Sequence, residues 1–270
     1  MRLSELGELG FLAELERRGL AQAIEHDAAI VGGLVVTQDA LVEDVHFRLD
    51  WMSFHELGFR AAAVNISDLA ASGAEPLGLV VTLGAPEETI VQSLIELYEG
   101  IAEAGVPVVG GDTTRAEKLI LSITALGRSE RVPGRAGARP GDLLVVTGPL
   151  GSASAAFRAG RYERPPIRIE EGRRLAAIAH AQLDISDGLA RDAGHIAARS
   201  SVRCVIELDR VPLGPDATVD DLGFGEDFEL LAAVPEPAFH VIGRCEEGDG
   251  VALLREGKPY ALTGWDHFRR

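Results

Sequence analysis

Six aspartates, Asp27, Asp39, Asp68, Asp112, Asp184 and Asp187, stand at or beside the ends of apolar segments in a chain of 270 residues. Asp112 follows an apolar run and two glycines, Asp184 follows Gln182-Leu183, and Asp68 is flanked by apolar residues in a stretch rich in small side chains. Carboxylates that converge without basic partners repel one another and hold their protons to higher pH, unless cations settle among them. Hard oxygen ligands of this kind suit Mg2+, which keeps several waters and bridges to the phosphates of a substrate. Each aspartate alone could be a solvated surface group or a helix cap. Their shared position at element ends is what points to a metal and phosphate site.

Absences narrow the chemistry. The chain has no GxxxxGK[ST] and only two lysines, Lys118 and Lys258, which excludes a P-loop. No GxGxxG follows a strand, and neither an HExxH, a metal-spaced His pair nor a GxSxG elbow occurs. Gly148-Pro149-Leu150-Gly151 resembles a phosphate loop superficially, but two glycines between a strand and a helix are more often simple turn chemistry. Cys204 and Cys245 lack ligand spacing and are too few for a secreted disulfide framework, so two buried thiols are expected.

The elements that must position the aspartates can be read from periodicity. Leu6, Leu9, Leu12 and Leu15 predict an amphipathic helix from Ser4 to Arg18. The run 28–37 predicts a hairpin broken at Gly32-Gly33, with a strand ending near Gln38 and Asp39, so that Asp27 and Asp39 lie close together. A tightly packed helix is expected from Ser53 to Ser72, stopped by Gly73 and Pro76. Strands follow at 77–83, at 106–109 running into Gly110-Gly111-Asp112, and at 118–126, with a helix at 87–105 between the first two. The Gly, Pro and Arg-rich stretch 128–142 marks a domain junction near residue 136, separating units 1–135 and 136–270. Beyond it come strands at 143–147, 202–208 and 227–234, a helix at 169–180, a helix from about Asp187 to Arg199 capped by Ser186, and a hairpin around Gly257. The alternation is that of an α/β or α+β protein. Asn65-Ile66-Ser67-Asp68-Leu69 and Asp184-Ile185-Ser186-Asp187-Gly188 form one short internal echo.

With 26 basic and 42 acidic side chains the net charge is −16, which argues against a nucleic acid partner. Residues 1–135 hold 10 of the basic and 21 of the acidic groups, so the acidic excess accompanies the first half. At 46% hydrophobic and 25% charged, the composition is globular rather than disordered. No apolar run approaches the roughly 18 residues of a membrane span, and the N-terminal stretch is charged throughout. A soluble cytoplasmic protein with no membrane partner is expected.

The segments HDAAIV (26–31), TQDALVEDVHF (37–47), AVNISDLAASGAEP (63–76), VVGGDTT (108–114), GRAGARPGD (134–142), DISDGLARDAGHIA (184–197), GEDFELL (225–231) and GWDHF (264–268) resemble the thiamine-monophosphate kinase family. That family is part of a superfamily with aminoimidazole ribonucleotide synthetase and selenophosphate synthetase. VVGGD and DISDGL are shared among its members; GEDFELL and GWDHF are specific to the kinases. The resemblance implies a two-domain aminoimidazole ribonucleotide synthetase-like fold whose N-terminal sheets pair in a homodimer. It implies Mg2+ ligands at the six aspartates, and ATP contacts from Thr37, Gln38, Tyr98, Gly111, Asp112, Arg135 and Ser186. Thiamine monophosphate would meet His46, Glu226 and Trp265. Three departures stand out: Glu25-His26-Asp27 replaces a usual pair of aspartates, Gln38 a usual hydroxyl, and Asp44 a usual glycine. The implied reaction transfers a phosphoryl group from ATP to thiamine monophosphate by direct in-line attack; the anionic acceptor needs no general base. Two alternatives stay open at this point, another ATP-dependent superfamily activity and a non-catalytic nucleotide-binding regulator.

Overall fold

The small residues of 54–71 predict close packing, and helix α2 (Phe54–Ala71) is the hub of the computed structural model, which describes residues 2–21 and 26–262. Ser53 and Glu56 close a capping box at its start, with the Ser53 hydroxyl accepting the Glu56 N–H and the Glu56 carboxylate accepting the Ser53 N–H at 2.8 Å. Gly73, at φ 60°, turns the chain away after its end.

α2 lies on a five-stranded sheet of order β1-β2-β5-β3-β4, made from β1 (Ala29–Val31), β2 (Leu34–Val42), β3 (Glu75–Ala85), β4 (Val108–Arg115) and β5 (Ile120–Arg128). Its other flanks meet two helices so closely that only glycine fits. A Cβ on Gly58 would stand 1.9 Å from the Leu97 carbonyl of α3 (Val91–Glu103), and one on Gly100 as close to that of His55. The second sheet has the order β12-β11-β8-β10-β6-β9-β7. Its strands are β6 (Leu143–Val146), β7 (Ala181–Asp184), β8 (Arg203–Glu207), β9 (Leu230–Val234), β10 (His240–Glu246), β11 (Gly250–Arg255) and β12 (Lys258–Tyr260). Helix α4 (Ser152–Arg158), α5 (Ile169–Ile178) and α6 (Leu189–Ser200) accompany it. Gly172 of α5 sits against Ala70, where a Cβ would be 2.2 Å from the carbonyl, so α2 touches both halves of the molecule. α1 (Leu3–Arg17) precedes all of this and is broken at Gly7.

The hairpin turns on Gly32-Gly33 at φ 58° and 80°, the geometry that matches strand twist. Its second strand does not stop at Asp39; β2 continues to Val42 against β5. The diglycine of VVGGD is likewise inside β4 rather than beyond it. Gly111 is required there because a Cβ would fall 2.0 Å from the Val81 carbonyl of β3. α3 starts at Val91, four residues later than its pattern suggests. Ser186 does not cap α6: the helix begins at Leu189 after Gly188, at φ 109°. β7, β10 and α4 had no counterpart in the periodicity. Cys204 and Cys245 are buried, unbridged neighbours across β8 and β10. Among the described residues no helix is long and apolar enough to cross a membrane.

Candidate active site

Alternation along β2 turns Thr37 and Asp39 toward α2 and Gln38 toward the open face of the sheet. There the Gln38 amide donates to Ser122 Oγ at 2.9 Å. On the α2 side, the Thr37 hydroxyl donates to the Asp68 carboxylate. Asn65, one turn earlier on α2, accepts the backbone N–H of Asp39 at 2.9 Å and anchors its own amide on the Ala61 carbonyl at 2.9 Å. Ser67 donates across to Asp184 Oδ2 at 2.5 Å, at the end of β7. The two echoing segments thus meet through Ser67 and Asp184. One is mid-helix and the other a strand leading into a turn, so the echo is a contact and not a structural repeat.

Asp27, Asp39, Asp68 and Asp184 therefore share one electrostatic environment drawn from both halves of the chain. Burial raises the pKa of Asp68 well above the usual carboxylate range, and the charges of Asp184, Asp39 and Asp27 push it further. Burial and then Asp27 lift Asp184 to about 7, although the Ser67 hydroxyl opposes them. Asp27, whose side chain is 4% exposed, is also raised by burial, against the pull of Arg135 at 2.6 Å. Arg135, expected on nucleotide phosphates, here holds a member of the cluster.

Asp187 sits in the turn after β7, with Arg191 Nε 3.3 Å from its carboxylate. Buried Asp192 accepts its backbone N–H at 3.1 Å. Asp187, Asp192 and His195 place ligand-capable atoms within 4.8 Å of one another. Asp192 and His195 were absent from the sequence-derived set; the signal available was their i, i+3 spacing on α6 directly behind DISDG. Burial raises Asp192 well above normal, and burial with Arg135, Arg191 and Arg199 lowers His195 to about 4.

Ser186 links this turn to GEDFELL, since its carbonyl accepts the Glu226 N–H at 2.9 Å. Glu226, held at φ 58°, pairs with Arg60 Nη2 of α2 at 2.8 Å. Its neighbours in the motif are structural. Asp227 accepts the Gly151 N–H at 2.9 Å, so that amide of the GPLG turn is already held by a carboxylate. Glu229 binds Arg168 at 2.6 Å and the Thr147 hydroxyl at 2.5 Å.

His46 lies in the turn after β2, where its Nδ1 accepts the Val42 N–H at 3.1 Å, leaving the ring proton on Nε2. Asp44 beside it adopts φ 62° and pairs with Lys118 at 2.7 Å, which accounts for glycine being usual there; Asp tolerates that conformation better than most residues. The remaining positions are not gathered with these. Tyr98 is half-buried on α3 against the first core, and Gly111 and Asp112 are on β4. The ladder Ala40–Ser122–Thr82–Asp112 sets Asp112 on the open face with Gln38, opposite Thr37 and Asp39. Trp265 and Glu25 lie outside the described residues.

Residues 25–129 match the family model described as AIR synthase related protein, N-terminal domain. At the level of fold alone the chain superposes on the hydrogenase maturation protein HypE, with a TM-score of 0.70, 21% identity, and 92% of this chain and 96% of that one covered. These define the class, a two-sheet protein of AIR-synthase type. Within it, the thiamine-monophosphate kinase of Pyrococcus horikoshii is 36% identical over 307 aligned positions, covering 100% of this chain and 97% of the relative. That of Aquifex aeolicus is 33% identical, with 99% and 100% covered. AaThiL, solved in complex with AMPPCP and TMP, superposes with a TM-score of 0.90 at 33% identity over 99% of each chain. The chain belongs to the thiamine-monophosphate kinase family.

Proposed function

We propose that the protein phosphorylates thiamine monophosphate with ATP, giving thiamine diphosphate and ADP, in the cleft where α2 meets the turn after β7. The observation that carries this is the gathering of Asp27, Asp39, Asp68 and Asp184 from both halves of the chain around Arg135, in a family whose AaThiL member is solved with AMPPCP and TMP. The donor set fits Mg2+: hard carboxylate oxygens, protonated in part when no cation is present, with hydroxyl and amide groups fixing their orientation. Asp27, Asp39, Asp68, Asp184 and Asp187 would hold the ions. Bound Mg2+ supplies charge neutralisation for two polyanions and alignment of their phosphates.

The protein's own groups do the positioning. Thr37 and Ser67 orient Asp68 and Asp184 by donating to them, and Asn65 fixes the backbone at Asp39. Ser186 sits on the turn joining these carboxylates to Glu226, which with His46 would face the acceptor; the acceptor contact of Trp265 rests on the family resemblance alone. No side chain has to take a proton from the acceptor, whose phosphate is already anionic, and the phosphoryl group passes to it directly, without a phosphorylated enzyme. We further read the chain as units 1–135 and 136–270, acting in the cytoplasm as a homodimer joined through the first sheet. The open face and edge of that sheet carry Gln38, Gly111 and Asp112; pairing there would give those nucleotide contacts, with Tyr98, their role.

Incubation with ATP, Mg2+ and thiamine monophosphate, followed by product identification, tests the proposal. Thiamine diphosphate formed only when Mg2+ is present is expected. Conversion of an aminoimidazole-pathway substrate instead, or ATP binding with no turnover of either acceptor, would overturn it.

A further inference from the structure

Beyond Glu226, four aromatic rings form a continuous wall that no motif of the sequence singled out. Trp51 meets Phe157 edge-on at 5.2 Å and Tyr162 at 5.5 Å, and Phe157 meets Phe224 at 5.2 Å. The rings come from the turn at Trp51, helix α4 and the segments at Tyr162 and Phe224, in two halves of the chain, and Phe157 is 41% exposed. Rings that served only as core would be expected to be covered. Phe224 stands two residues before Glu226, and the Glu226 partner Arg60 lies 5.3 Å above Tyr162.

Three features say what this wall would take. Its rings already carry planar cations, Arg48 at 5.0 Å over Trp51 and Arg60 over Tyr162, so the π faces are oriented for positive charge. Glu226 supplies a carboxylate at its border. Arg60 precedes Asp68 by eight residues on α2, about 12 Å at 1.5 Å per residue, which is the span of a phosphate ester bearing two small rings.

We infer that Trp51, with Tyr162, Phe157 and Phe224 behind it, is the surface on which the flat cationic end of the acceptor stacks while its phosphate lies at the aspartates. Exposed Arg48 is the group displaced from the indole. This rests on the kinase reading above and adds the residues that select the heterocycle over other phosphate monoesters.

Because the chain has two tryptophans, Trp265→Phe leaves Trp51 as the sole indole, and its fluorescence is a direct probe once the variant's own KM for thiamine monophosphate has fixed the concentrations that saturate it. Titrating that variant with thiamine monophosphate should quench the signal saturably, and titrating with ATP should not. In the otherwise wild-type chain, Trp51→Ala should raise KM for thiamine monophosphate about 5- to 30-fold, as expected for loss of one stacking face, with KM for ATP and Tm unchanged. Trp51→Phe should recover most of the loss. A silent indole, or a lower Tm with both Michaelis constants moved equally, would reduce the wall to packing. Wild-type turnover measured alongside separates the two ideas: without thiamine diphosphate formation the kinase reading itself fails, and with it but no Trp51 effect only the wall fails.

Discussion

Asp68 and Asp184 are carboxylates that the fold keeps close and poorly solvated, so their charge is a cost to the metal-free protein. Asp68→Asn and Asp184→Asn should each remove most of the turnover yet leave Tm in EDTA unchanged or slightly raised, since Asn keeps the shape and relieves repulsion. The rise in Tm that Mg2+ gives the wild type should vanish in both; near-normal turnover at modest Mg2+ would refute their role. Asp227 gives a pH prediction away from the cluster. Burial lifts its pKa from 3.8 to about 7, so the folded state binds the proton more tightly than the unfolded chain. Its contribution is therefore present below the unfolded pKa and is lost as pH rises toward 7. Asp227→Asn, which can still accept the Gly151 N–H, should gain stability over the wild type progressively as pH rises from about 4 through 7, with the largest advantage at pH 8. Thermal melts across that range decide the point, and a constant difference would contradict it. At this scale the sequence was informative about the aspartates through a carboxylate set beside each apolar run, although Asp39 and Asp112 lie inside strands and Asp68 inside α2, and only Asp184 ends its element. Asp192 and His195 escaped because they matter only once the turn before α6 folds back on them.

Among elements, α2 was legible from its cap, its small residues and its glycine stop. β4 was not, because a diglycine reads as a break until the neighbouring β3 backbone is seen to occupy the space of a side chain. β7 and β10 were missed for related reasons: four residues are too few for a period, and Gly243 interrupts the other. Two glycine substitutions should have opposite signs. Gly58→Ala forces α2 and α3 apart and should destabilise the fold by about 3 kcal/mol. Gly194→Ala on α6, where the nearest neighbour would be Val251 at 3.9 Å, should stabilise it by roughly 0.5–1 kcal/mol through helix propensity. Denaturant midpoints of the two variants check both; a neutral Gly58→Ala would mean the helices can separate without loss.

For the whole molecule, the two-sheet plan followed from alternation and from the loop-forming composition of 128–142, whereas strand order could not, since β11 joins β8 in parallel by a crossover that no local signal encodes. All eight residues of edge strand β4 are exposed, including Val108 and Val109, with Ile30 and Val31 exposed at the opposite edge. A surface of that kind is expected to be covered in solution. Val109→Asp should shift the protein from dimer to monomer by light scattering, and a wild type that is already monomeric would remove the homodimer from the proposal. The placement of Arg60, Asn65, Ser67 and Asp68 along a single helix has an evolutionary reading too. One residue inserted among them would swing everything downstream by about 100° and shift it by about 1.5 Å, detaching the Arg60 side from the carboxylates at a stroke. Length in this segment is therefore under as strict selection as residue identity, and the insertions that make relatives longer than this chain should fall in loops such as 159–168 and 209–224, where an added residue changes the reach of a surface and leaves the helical phase intact.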